Sequence, residues 1–248
     1  MSTGLSLADL RAHLVPARDI EARERRARLS TGSAALDRLL GGGWPRGAVS
    51  EVRGARGQGR TSVLLASIAA TMQAGHATAL IDFGGAFDPR TAARAGVVLE
   101  RLLWVRAPTT TASADQAGTD RPGRPRRSPE RILLSAAETI VSAGGFGLLA
   151  LDFGERMPSI PSATWIRLRQ LVTGPGTVVL VVTAHPVGSL FGATSLSLDR
   201  ARPQFGARIQ QAPPLLTAID TRIDRKHATG DSGTSSGSQV LSLVHVPT

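Results

Sequence analysis

The segment Gly54-Ala55-Arg56-Gly57-Gln58-Gly59-Arg60-Thr61 has the spacing of a phosphate-binding loop, G-x-x-x-x-G-K-[ST], with arginine at the lysine position. In such loops backbone N–H groups cradle phosphates, the lysine reaches the β- and γ-phosphates, and the hydroxyl holds Mg²⁺. Thr61 keeps the hydroxyl, and Arg60 keeps the charge on a bulkier planar fork. No nearby lysine can stand in, because Lys226 is the only lysine in the chain.

Outward from the loop, the sequence alternates strand and helix. Ala48–Val52 reads as the strand that enters it, and Thr61–Ala74 as the helix that leaves it, with Val63, Leu64, Ile68 and Met72 at helical spacing. Ala77–Phe83 and Leu102–Val105 read as strands, and Pro89–Ala95 as a short helix between them. Ser128–Ala143 reads as a helix with Pro129 in its first turn and Gly144-Gly145 at its end. Gly147–Phe153 is an apolar strand carrying Asp152, Ala163–Val172 a helix, and Thr177–Thr183 the most hydrophobic strand. Near-continuous apolar strands separated by helices predict an α/β fold, with a mainly parallel sheet covered on both faces. Leu215–Arg225 and Ser238–Val246 predict an antiparallel pair at the C-terminal end.

Other segments break the alternation. Ser6–Ala27 reads as a charged helical segment interrupted at Pro16, its arginines interleaved with Glu21 and Glu24. Within it Leu7, Leu10 and Leu14 form an apolar stripe suited either to a partner or to the protein's own core. Residues 1–28 are taken as this segment, a candidate interaction arm, and 29–248 as one core domain. Pro108–Ser128 reads as a mobile loop, and 229–237, rich in Gly, Ser and Thr, as a flexible linker.

Composition narrows the function classes. With 248 residues and 42% hydrophobic content, the chain can bury a sizeable core. It has no cysteine, which excludes disulfides and thiolate metal sites and agrees with a cytoplasmic protein. No apolar run is long enough to span a bilayer, and the N-terminus lacks the apolar core of a signal peptide. The net charge of +10 favours an acidic partner, nucleic acid or protein, although a bias towards arginine codons gives the same excess. Three Trp, six Phe and no Tyr are a poor supply of base-stacking platforms, so any DNA contact is expected through the backbone. His185 follows a strand end, where a lone histidine is read as structural. Asp82 and Asp152 end neighbouring strands; Asp82 is expected to cap the turn after it.

The order of landmarks resembles the ATPase core of RecA. Leu29-Ser30-Thr31-Gly32-Ser33-Ala34-Ala35-Leu36-Asp37 resembles the RecA segment entering the fold, and Trp44-Pro45-Arg46-Gly47 precedes the loop strand as in that family. Ile81-Asp82-Phe83-Gly84-Gly85-Ala86-Phe87-Asp88-Pro89 resembles RecA's I-D-A-E-H-A-L-D-P, and Leu148-Leu149-Ala150-Leu151-Asp152 its Walker B strand. The resemblance implies a nucleotide site built from Gly54, Gly57, Gly59, Arg60, Thr61 and Asp152, with Thr61 and Asp152 on the magnesium side. It also implies four departures. The catalytic glutamate falls at Gly84, the nucleotide-sensing glutamine at about Ala184, and the loop lysine at Arg60. The lysines presented to a neighbouring subunit have no counterpart near His245. The stretches matching RecA's two DNA-binding loops are short after Phe153 and apolar over His185–Ala193, with Arg200, Arg202 and Arg208 beyond.

A RecA-like chain of this size with an altered loop resembles the ImuA family, most closely in Gly41-Gly42-Gly43-Trp44-Pro45-Arg46-Gly47-Ala48. That resemblance implies a non-hydrolysing adaptor of damage-induced translesion mutagenesis, with weak or absent ATP/Mg binding and no catalytic residue. Its implied partners are ImuB, an error-prone C-family DNA polymerase and RecA. Two alternatives stay open: a DNA-dependent RecA-type ATPase with a variant loop, and a cell-division inhibitor resembling SulA.

Overall fold

The computed structural model describes residues 28–106, 129–157, 160–173, 176–187, 194–205, 216–227 and 238–242. The expected helical segment Ser6–Ala27 with Leu7, Leu10 and Leu14, the loop Pro108–Ser128 and the linker 229–237 lie outside these residues.

The chain enters through a two-residue strand β1 (Arg28–Leu29), helix α1 (Ala34–Leu40) and strand β2 (Trp44–Pro45), which pairs antiparallel with β1. Ser33 caps α1, its Oγ accepting from Leu36 N–H at 3.4 Å, and Gly41 ends the helix in the left-handed region. Gly43 has φ +115°, and a Cβ there would lie 2.2 Å from the Leu29 carbonyl oxygen, so only glycine lets β1 and β2 close. Trp44, fully buried, donates its indole N–H to Ser67 Oγ at 3.0 Å and pins this entry unit to the next helix.

The core alternates β3 (Ala48–Arg53), α2 (Arg60–Gln73), β4 (Ala77–Asp82), α3 (Pro89–Arg94), β5 (Leu102–Arg106), α4 (Pro129–Ala143), β6 (Phe146–Gly154), α5 (Ser162–Thr173) and β7 (Val178–Thr183). The expected elements of this stretch all form, with no end displaced by more than one residue. Three strands follow: β8 (Thr194–Phe205), β9 (Leu216–His227) and β10 (Ser238–Ser242). The eight-stranded sheet runs β10-β9-β8-β3-β7-β6-β4-β5, parallel from β8 to β5 and antiparallel across β8-β9-β10.

Helices cover both faces, as the apolar strands demand. One core joins Leu36 and Leu40 of α1, Trp44, and Val63, Leu64, Ile68 and Met72 of α2 to Leu80, Leu148, Leu180 and Leu196 of the sheet. The other packs Leu133, Ala137 and Val141 of α4, and Trp165, Leu168 and Val172 of α5, on Ile81, Leu149, Leu151 and Val181. The strand residues alternate between the two cores with period two, which fixes the register. The predicted α/β fold, with its C-terminal antiparallel pair, is therefore observed.

The region from Phe191 to Arg208, a candidate contact surface to which the sequence assigns no element, contributes β8 over Thr194–Phe205. Leu196 and Leu198 face the first core, and Ser195 and Ser197 alternate with them in sequence. A buried carboxylate ties this strand in: Glu51 of β3 accepts from Val187 N–H at 2.9 Å and from Ser195 Oγ at 2.7 Å. Among the described residues, no helix is long and apolar enough to cross a membrane.

Candidate functional site

The site lies at the carboxyl edge of the parallel sheet, where the loop after β3 meets the ends of β4 and β6. Gly57 and Gly59 take φ of +81° and +93°, giving the loop its tight turn into α2. Helix α2 has no side-chain cap at Gly59, so the positive end of its dipole faces the loop. A cavity of about 620 Å³ brings Arg60, Thr61 and Asp152 together with Arg56, Gly84 and Glu155. Of the expected nucleotide-site residues, Gly54, Gly57 and Gly59 shape the loop rather than line this cavity.

Asp82 and Asp152 sit opposite one another in the β4–β6 pairing. Asp82 caps its own turn as expected: its carboxylate accepts from Gly85 N–H at 2.6 Å, Ala86 N–H at 3.2 Å and Phe87 N–H at 3.3 Å. Asp152 accepts from Gly154 N–H at 2.9 Å. Burial pushes the Asp152 carboxyl above its ordinary value, the Gly154 hydrogen bond opposes this, the Asp82 charge adds to it, and the Arg60 charge offsets part of it. Phe83 and Phe153 stack with ring centroids 4.2 Å apart, holding the ends of β4 and β6 together beneath the site.

Arg60 does not extend over the loop. It is 9% exposed, and its guanidinium donates to the Gly154 carbonyl oxygen at 3.1 Å and to Glu155 Oε1 in an ion pair. Gln58 folds back so that its Oε1 accepts from Ala55 N–H at 2.8 Å. Gly84 packs against backbone: a Cβ there would lie 3.3 Å from both Gly154 Cα and Gly154 N. Ala184, at the matched glutamine position, donates its N–H to the Gly154 carbonyl oxygen at 3.1 Å. His185 is exposed and closes a backbone turn with Thr183, accepting from Thr183 Oγ1 at 2.9 Å.

Glu155 and Gln58 were not singled out in the sequence. Glu155 directly follows the Walker B-like strand, and its contact with Arg60 spans 95 positions, which local pattern cannot show. Across the cavity, Asp88 caps α3, accepting from Thr91 Oγ1 at 2.5 Å, and these hydrogen bonds hold its carboxyl below the ordinary value. As arranged, the residues do not fit a magnesium nucleotide. The loop cation is paired internally, a loop N–H is taken by a carboxamide, and position 84 offers no side chain.

Residues 17–117 match the RecA N-terminal domain. The chain is 38% identical over 125 residues to RecA of Chlorobaculum parvum, covering 50% of this chain and 30% of that protein. It is 42% identical over 77 residues to RecA of a Picosynechococcus strain, covering 31% of this chain and 22% of that protein. The matches thus span less than a third of these relatives' length. With the strand order and the loop in place, these partial matches support a RecA-like superfamily for the chain.

Proposed function

We propose that this chain is a non-hydrolysing RecA-like adaptor, resembling ImuA, that acts in damage-induced translesion mutagenesis. The observation that carries this reading is the Arg60–Glu155 ion pair beside Gly84. Phosphoryl transfer needs a group to orient water, compensation of phosphate charge and a held metal. Here the first position has no side chain and the charge-compensating residue is spent on Glu155. A scaffold kept without that chemistry is kept for its surfaces, and ImuB, an error-prone C-family polymerase and RecA are the partners the resemblance supplies. Arginine contacts to DNA backbone remain compatible with this role.

Turnover tests the reading. Phosphate release from ATP is expected to stay at background with and without single-stranded DNA. Release that DNA stimulates and Asp152→Ala abolishes would establish the DNA-dependent ATPase instead. Co-purification with ImuB and the polymerase separates the adaptor from a SulA-like cell-division inhibitor.

A further inference from the structure

One N–H of the phosphate loop and the loop arginine are both bonded to the protein's own oxygen atoms. Gln58 Oε1 takes the Ala55 N–H, and a Cβ on Gly54 would lie 3.0 Å from that same oxygen, so the carboxamide lies against the loop backbone. Glu155 and the Gly154 carbonyl together take the Arg60 guanidinium. A phosphate that takes the Ala55 N–H and the Arg60 guanidinium therefore competes with a carboxamide and a carboxylate. The Glu155 side chain is 56% exposed, so it can swing into water without unfolding anything, whereas Arg60 is held by β6.

We propose that Gln58 and Glu155 form an autoinhibitory closure of the phosphate loop, in which an internal carboxylate holds the loop arginine and excludes polyphosphate ligands until Glu155 is drawn away. The ion pair also links the first turn of α2 to the residue after β6. Apparent affinity falls by the fraction of molecules in which the loop is open. The closure deepens the non-hydrolysing reading and rests on it for its biological sense; turnover tests that reading, and binding alone tests the closure.

The experiment is calorimetric titration of the full chain with inorganic tripolyphosphate, and separately with ATP. The proteins are the native chain, Glu155→Gln, Gln58→Ala, the double variant and Glu155→Asp. Glutamine at 155 keeps the size and removes the charge that holds Arg60, while aspartate keeps the charge. Glu155→Gln is expected to bind tripolyphosphate about tenfold more tightly than the native chain, and the double variant more tightly again. Glu155→Asp is expected to stay close to the native chain. Equal affinity in the native chain and the double variant, with both showing native circular dichroism, would overturn the closure. So would tight binding by the native chain. Turnover stays a separate readout: a double variant that binds without hydrolysing upholds both inferences, and one that hydrolyses overturns only the non-hydrolysing reading.

Discussion

Gly84 and Gly154 meet backbone to backbone, so that a Cβ on Gly84 would lie 3.3 Å from the Gly154 Cα. This contact joins the loop after β4 to the end of β6, so a side chain at the position matched to a catalytic glutamate requires the Gly154 backbone to give by a few tenths of an ångström. Gly84→Glu is accordingly expected to add no ATP turnover and to lower unfolding free energy by about 1–3 kcal/mol, the usual cost of overpacking. Phosphate-release assays and urea unfolding of the variant check both halves. A stable Gly84→Glu variant with turnover would show that the site lacks only this one carboxylate.

Asp152 gives a pH signature. Its carboxyl is raised in the folded protein, chiefly by burial, so the folded state holds this proton more tightly than the unfolded chain does. Its contribution to stability is therefore most favourable below the ordinary carboxylate value of 3.8 and is lost as pH climbs through the raised folded value. Asp152→Asn removes that dependence while keeping an acceptor for the Gly154 N–H. The native chain minus the variant is expected to lose relative stability with rising pH above 3.8, read from urea unfolding across mild acid to neutral pH. A difference that grows with pH would mean the carboxylate is stabilised in its charged form.

Glu51 tests how β8 is held. Its two oxygens fasten Val187 on one side of the β7–β8 connection and Ser195 on the other. Glu51→Ala leaves the Val187 N–H and the Ser195 hydroxyl without their acceptor and opens space in the sheet. A loss of about 1–3 kcal/mol is expected. Glu51→Gln, which keeps one acceptor oxygen, is expected to lose less. Urea unfolding of the two variants distinguishes this anchoring role from a neutral one.

Where a feature was legible, its signal was local. The loop spacing, the apolar strands and the 3.6-residue period of α2 are written in adjacent residues, and those elements formed. Helix α1 has only a short apolar pattern, and its sign in the sequence is the pair of cap residues Ser33 and Gly41 that bracket it. β8 was missed because serines and threonines dominate Thr194–Ser197 and resemble loop. The period-two alternation of Leu196 and Leu198 with polar neighbours was the available sign. Strand order was out of reach, since β3 lies between β7 and β8, both more than a hundred residues later in the chain. The same distance hid Glu155: sequence exposed an arginine at the lysine position and gave no means of finding the carboxylate that holds it.

The N-terminal segment carries the partner prediction. Arg28 belongs to the core: it pairs with Pro45, and its guanidinium donates to the Leu40 carbonyl at 2.9 Å and the Gly43 carbonyl at 3.1 Å, at the carboxyl end of α1. A truncation that spares the fold therefore removes residues 1–27 and keeps Arg28. The stripe Leu7, Leu10 and Leu14 goes with it. If that stripe docks on a partner, the truncated chain is expected to keep its circular dichroism and thermal transition while losing binding to RecA or to the ImuB–polymerase assembly. If it packs on the protein's own core, the same truncation lowers the thermal transition before any binding is measured. Full-strength binding by a truncated chain of native stability would remove the segment from the interface and direct attention to the region from Phe191 to Arg208. The decisive pair of measurements is a melting curve and a pull-down on the same preparation, since only their combination tells an interaction arm from a structural one.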